Sequence, residues 1–287
     1  MRHLPLMFLL FGACATPQTE LTLTSEVVAE GFLFTEGPVW SADGSLLFSD
    51  IPADVVYRWR EGAGVDTFLT GSGNSNGLTY RSDGWLVLAQ HAGRVSVLDT
   101  AGVLQTLASQ WEGKRLNSPN DLAYHPSGHL FFTDPHFGVE PDDRELSFSG
   151  VYRMSPTGEL TLVYDGFELP NGIAFTTDFT KMYVADSETG DIFVWTVDTE
   201  GNATDPKPFA NIGQRTPGKG AADGIKTDDK GRLFTTGPNG LIVFDADGAE
   251  LKRMEFPEQV TNLAWGGSGW TTLYMTASDK VYRLAVR

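Results

Sequence analysis

The chain has 287 residues, 41% of them hydrophobic, and a net charge of −16. That is enough apolar material for a sizeable core. The acidity argues against nucleic acid as a partner and against charge-driven binding to anionic lipid, since both need clustered Lys and Arg. With 32 glycines, 15 prolines and no long stretch of 3.6-residue apolar periodicity, one all-β domain of short strands and tight turns is favoured. The acidic residues either serve solubility or, in part, bind a cation.

At the N-terminus, Arg2 and His3 precede an apolar run from Leu4 to Phe11, and Gly12-Ala13 lead into Cys14. The run is too short to span a bilayer, and residues 1–13 read as a secretory signal. It resembles a bacterial lipoprotein signal, in which Cys14 is lipidated and becomes the mature N-terminus, although Phe11 stands where Leu is usual. Ordinary signal cleavage with Cys14 as a bystander is the alternative. The expectation is an exported, periplasmic or cell-envelope lipoprotein that touches the membrane only through its N-terminal lipid. Cys14 is the sole cysteine, which excludes an intrachain disulfide and a zinc site built from several cysteines. Residues 14–25 read as a polar tether, leaving 26–287 for the fold.

The segment Val27 to Phe34 is strand-like and has no partner beside it. After it, one pattern occurs six times. Its first strands begin at Glu36, Asn76, Asn120, Asn171, Asp223 and Thr261. A turn follows each, as at Asp43-Gly44, Asp83-Gly84, Ser127-Gly128 and Lys230-Gly231, where glycine accepts the positive φ of a tight hairpin. Second strands run from Leu46, Trp85, Leu130, Met182, Leu233 and Leu273, and β-rich third strands from Val55, Val95, Val151, Ile192, Leu241 and Val281. Fourth strands are weaker, as at Leu160 to Tyr164. Four strands repeated every ~40–50 residues are the signature of a β-propeller. Six copies predict six four-stranded blades. The last copy lacks its outer strand, so the N-terminal segment is expected to complete the sixth blade and close the ring. Insertions are expected at Pro135 to Ser149 and at Thr199 to Gly220, near a channel mouth.

Inner strands of a propeller line its channel, so their opening residues meet at one mouth. All six here are polar at the head of otherwise apolar strands. Each by itself reads as a turn residue; six in equivalent positions offer two carboxylates and three amide carbonyls, hard oxygen donors suited to Ca²⁺ or Mg²⁺. Facing carboxylates would repel unless a cation lay between them. With no His or Cys among the six, zinc or copper is disfavoured.

Five stretches then carry a family resemblance: Phe34-Thr35-Glu36-Gly37-Pro38-Val39-Trp40, Arg115-Leu116-Asn117-Ser118-Pro119-Asn120-Asp121, Phe132-Thr133-Asp134-Pro135, Leu169-Pro170-Asn171-Gly172 and Ala222-Asp223-Gly224. Together they resemble the gluconolactonase and regucalcin (senescence marker protein) family, its bacterial gluconolactonase branch in particular. The resemblance implies a six-bladed propeller with one divalent ion in the channel, calcium as a rule and otherwise Mg²⁺, Mn²⁺ or Zn²⁺, and hydrolysis of a small sugar lactone. It further implies Glu36, Asn171 and Asp223 as metal ligands, Asp223 as general base, and Asn120 beside the substrate. Arg115, set further from Asn120 than in the regucalcin branch, and His91 in Gln90-His91-Ala92-Gly93-Arg94 are the other candidate substrate contacts. His136-Phe137 replaces the family's usual Pro-Tyr after Thr-Asp-Pro.

In such a mechanism the cation polarises the lactone carbonyl and Asp223 accepts a proton from the attacking water. A carboxylate bound to a cation is a weakened base, so either its free oxygen takes the proton or the ion activates the water directly. The one Gly-x-Ser-x-Gly string, Gly73-Asn74-Ser75-Asn76-Gly77, opens a strand of the repeat rather than a strand-to-helix elbow, and no P-loop or dinucleotide fingerprint is present, which argues against a serine hydrolase or nucleotide chemistry. A phosphotriesterase of the diisopropyl-fluorophosphatase kind and a non-catalytic binding propeller with a structural ion are the alternatives. A monomer is expected.

Overall fold

The computed structural model describes residues 21–286. Cys14, the leader and the first part of the tether lie outside the described residues. Six four-stranded antiparallel sheets are arranged as the blades of a propeller, with no α-helix among the described residues. The inner strands are Thr35–Trp40, Ser75–Tyr80, Leu122–Tyr124, Pro170–Phe175, Ile225–Thr227 and Val260–Gly266. The sixth blade is completed by Leu23–Glu30, which pairs with Lys280–Val286 from Leu23 opposite Val286 onward. This closing strand begins earlier than Val27, so the last residues of the expected tether belong to the sheet. Ala203–Asn211 forms the outer strand of the fourth blade, which shortens the second insertion to the stretch after it.

Burial falls along each blade from the channel outwards. Second strands such as Leu46–Asp50, Leu130–Asp134 and Leu233–Gly237 are buried at every residue. They are covered on both faces by neighbouring blades, and so read as continuous apolar runs rather than as an alternation. Outer strands such as Gly64–Thr70 are mostly exposed and polar. The core is divided into six clusters, each between two successive blades. Leu47, Val56, Leu78 and Leu88 join blades one and two; Phe131, Ile173, Val184 and Trp195 join three and four; Phe48, Trp59, Ala264 and Tyr274 join six and one.

At the channel the blades are also joined by hydrogen bonds to main-chain carbonyls. Ser49 Oγ donates to Asn76 O at 2.8 Å, Gly77 N to Asn120 O at 2.7 Å and Thr133 Oγ1 to Asn171 O at 2.8 Å. Ser187 Oγ donates to Ala222 O at 2.7 Å, Gly224 N to Thr261 O at 2.8 Å and Thr261 Oγ1 to Thr35 O at 2.8 Å. Each blade thus holds the backbone at the head of the next inner strand, and the sixth holds the first. The strand ladder slips at these heads, between Glu36 and Val39, Ser75 and Leu78, and Pro170 and Ile173.

Such close approach requires glycine. A Cβ on Gly172 would lie 2.1 Å from Asp223 O and 2.8 Å from Ile225 N, both main-chain atoms of the next blade. Gly172→Ala therefore forces blades four and five apart. It is expected to cost about 2–3 kcal/mol, read as a drop in thermal midpoint of roughly 5–10 °C. An unchanged midpoint would contradict the packing described.

Candidate functional site

Five of the six strand-head side chains are free to face one another at the mouth. Glu36, Asn76, Asn120, Asn171 and Asp223 are all buried. The sixth behaves differently. Thr261 spends its hydroxyl on Thr35 O and on Thr276 Oγ1, and Asn262 reaches in instead, its Nδ2 donating to Glu36 Oε2 at 3.2 Å. Glu36 Oε2 also accepts from Gly37 N at 2.9 Å, where the chain turns through φ +49°.

Asn171 is oriented from behind. Its Nδ2 donates to Ser187 Oγ at 3.0 Å, and that hydroxyl donates on to Ala222 O. The amide carbonyl Oδ1 is left buried without a hydrogen-bond partner. The same is true of Oδ1 of Asn76, Asn120 and Asp223. Buried polar atoms are nearly always paired, so four orphan oxygens at equivalent positions mark a place built for something that accepts lone pairs.

Electrostatics point the same way. Burial pushes Glu36 up to about 7, aided by the charge of Asp121 and opposed by the Gly37 and Asn262 hydrogen bonds and by Lys226. Asp223 is raised well above the ordinary carboxylate range, first by burial and then by the charges of Glu36 and Asp121, with Asn171 and Arg215 pulling it back. Two buried carboxyls that each disfavour the other's charge are stabilised by a cation between them. The donors are carboxylate and amide oxygens. Such oxygens fit a hard, oxygen-seeking divalent ion rather than a soft one; among the described residues no three His, Cys, Asp or Glu side chains are placed to hold an ion by themselves, so amide oxygens have to complete the set.

His91 lies beside this ring. Its Nε2 is 3.4 Å from Asn76 Nδ2, and burial pushes the imidazole down to about 4. Burial thus favours the neutral ring, whose Nε2 faces the Asn76 amide. The Pro135–Ser149 loop passes over it, since a Cβ on Gly138 would sit 3.6 Å from His91 Nδ1 and 3.8 Å from Ser118 Oγ. Arg115 lays its guanidinium against Gly93, two residues past His91. Its Nη1 donates to Leu116 O at 2.9 Å and Asn117 O at 3.0 Å, and its backbone N–H is taken by Glu145 Oε2.

Several further residues shape the site without belonging to the strand heads. Asp50, Asp134 and Asp186 end three second strands and accept N–H groups from the loop entering each inner strand: Leu33 and Phe34, Asn117 and Ser118, Glu168 and Leu169. Their signal in the sequence is an acid at the same place in three copies. Asp121 and Asn262 replace the glycine that follows the strand head in the other four blades (Gly37, Gly77, Gly172, Gly224). A cavity of about 870 Å³ opens at the other end of the channel, walled by Trp40, Tyr80, Tyr124, Phe175 and Trp265. It holds none of the orphan oxygens.

The SMP-30/Gluconolactonase/LRE-like region matches residues 34–279. The chain is 35% identical to a gluconolactonase of Zymomonas mobilis, the alignment covering 91% of this chain and 81% of that one. It is 29% identical to a pentonolactonase of Haloferax volcanii, covering 85% and 81%. Among solved structures, a gluconolactonase of Xanthomonas campestris superposes with a TM-score of 0.82 at 29% identity, covering 92% of this chain and 89% of that one. The polar ring thus stands at the channel mouth of a chain that belongs to the SMP-30/gluconolactonase/LRE-like family.

Proposed function

We propose that this chain is a hydrolase that opens sugar lactones, using one divalent cation, calcium by preference, held by Glu36, Asn171 and Asp223. The observation that carries this reading is the set of buried, unpartnered oxygens at the strand heads, in a chain whose relatives include a gluconolactonase and a pentonolactonase. When bound, the cation supplies Lewis-acid polarisation of the lactone carbonyl.

The remaining steps fall to the protein. Asn120 orients the lactone through its free carbonyl and amide. His91, neutral and beside Asn76, offers its imidazole to a sugar hydroxyl, and Arg115 supports substrate binding by holding the Leu116–Asn117 turn that leads to Asn120. Asp223 takes a proton from the attacking water as the new C–O bond forms. The ring C–O bond then breaks, and the departing oxygen recovers a proton to give the open hydroxy acid. Burial and the neighbouring negative charges raise the proton affinity of Asp223, whereas a cation lowers it. The two effects oppose each other, and burial thereby preserves basicity that the cation would otherwise remove.

The test is hydrolysis of D-glucono-δ-lactone, corrected for spontaneous opening, with EDTA and then with Ca²⁺, Mg²⁺, Mn²⁺ or Zn²⁺ restored singly. Metal-restored turnover is expected, with Asp223→Asn slower by at least about 100-fold. Absence of metal-dependent turnover on any lactone, or faster turnover of a phosphotriester, would overturn the proposal.

The ring also sets a pH signature. A carboxyl raised by folding takes up protons as the chain folds, so its stability contribution is lost as pH rises from the ordinary carboxyl range through about 7. Asp134, pushed up to about 7 by burial, adds to the same trend without belonging to the ring. In EDTA the thermal midpoint is therefore expected to fall between about pH 5 and about pH 8. Added Ca²⁺ should raise it more at the upper end, because the ion displaces protons from the ring alone. A calcium shift that is flat in pH would count against Glu36 and Asp223 as the ligands.

The leader supports export as a lipoprotein anchored through Cys14. Cys14→Ser should move the protein from the membrane fraction to the soluble one, and an unchanged distribution would refute the anchor.

A further inference from the structure

Below the ring the channel is lined by successive tiers, one residue deeper at a time. The first tier past the strand heads is Gly37, Gly77, Asp121, Gly172, Gly224 and Asn262. Asp121 is buried and ties two blades together: its Oδ1 accepts Leu122 N at 2.8 Å, and its Oδ2 lies 3.4 Å from Ile173 N, two residues past Asn171. The tier two residues deeper is Val39, Thr79, Ala123, Ala174, Lys226 and Ala264. Five are small or short, and the sixth is a lysine. Its Nζ lies 3.8 Å from Asp121 Oδ2 and donates to Ile225 O at 2.9 Å. All six residues of this tier line the cavity at the far mouth.

The charges of this channel can be accounted for individually. Glu36, Asp121 and Asp223 are buried there and interact with one another. The other buried acids have separate duties: Asp50, Asp134 and Asp186 hold loops, and Asp228 pairs with Arg232. Three buried negative charges need three positive ones nearby. A divalent ion at the ring supplies two. Arg215 also acts on Asp223, but from an exposed loop at the mouth.

We propose that Lys226 is a positioning residue that supplies the third positive charge: its ammonium neutralises Asp121 from the far side of the channel and thereby limits the ring to a single divalent cation. The inference rests on the reading of the ring as a divalent site. Without Lys226, the carboxylate of Asp121 adds its attraction to any cation above it. Without Asp121, the unpaired ammonium repels that cation.

Calcium titration calorimetry on the full chain tests this with three variants. The unaltered protein is expected to bind one Ca²⁺. Lys226→Met should bind it roughly tenfold more tightly and Asp121→Asn roughly tenfold more weakly, from the Coulomb effect of one unit charge in a partly screened interior. The double variant should return to within about threefold of the unaltered protein, since the two charges cancel. A purely structural role would weaken binding in both single variants, and that result would overturn the proposal, as would Ca²⁺ affinity unmoved by Lys226→Met. In EDTA, Lys226→Met should also lower the thermal midpoint and the added Asp121→Asn should recover it; loss without recovery would refute the pairing whether or not the ring binds metal. No divalent binding by the unaltered protein would instead overturn the reading of the ring itself.

Discussion

The architecture depends on a closed circuit of hydrogen bonds to main-chain carbonyls at the heads of the inner strands. A hydroxyl or amide of one blade grips the backbone of the next, from Ser49 at Asn76 round to Thr261 at Thr35. Because the grip is on the main chain, side chains at the same positions remain available. That is how Asn76, Asn120, Asn171 and Asp223 can each present a buried oxygen without an internal partner while the backbone beneath them is fully engaged. Orphan polar atoms in a protein interior are costly. Here their cost is borne by a scaffold whose six apolar interfaces and carbonyl circuit are independent of them.

Much of this is legible in the repeat. Blade number, the six strand heads and the closing strand all follow from counting one motif, because each blade has to present the same hydrogen-bonding and packing surfaces to its neighbours. Departures from the repeat are harder to see. Thr261 aligns with the ring but spends its hydroxyl on closing the seam, and its neighbour Asn262 reaches Glu36 in its place. Arg115 carries the charge expected of a substrate contact, and one of its guanidinium nitrogens also donates to the Leu116 and Asn117 carbonyls, a local role the sequence does not signal. Lys226 stands three residues past Asp223 among short side chains in the other blades, a contrast visible only when the six copies are compared position by position. The closing strand starts earlier than its apolar pattern suggests, because Thr24, Ser25 and Glu26 are polar and exposed, like a tether, and only Leu23 among its first residues packs against the core.

The two mouths of the channel differ in kind. One is crowded with amides and carboxyls, with His91 and the Gly138 turn packed against it. The other is wide and walled by Trp40, Tyr80, Tyr124, Phe175 and Trp265, the same position in five of the six blades. These rings also wedge between blades: Trp40 stacks on Tyr274 at 5.1 Å, and Phe175 meets Phe131 at 5.3 Å. Propeller blades splay outwards from the axis, and large aromatic side chains fill the widening gap. The cavity is thus a by-product of how the blades are spaced, whereas the narrow mouth is shaped by polar residues that spacing alone does not require.

The pairing of Leu23 with Val286 has a consequence for the order of assembly. Blades one to five are built from neighbouring strands and can form as the chain emerges. The first strand to be synthesised must wait for the last one, and its register is set by residues made more than two hundred positions later. Contacts of such high sequence separation carry the largest loop-closure cost and form late. Until then blade six has an unpaired edge, and blades one and six have no shared seam. Closing the ring therefore depends on this pairing of distant segments, and it is across the seam so closed that Asn262 reaches Glu36.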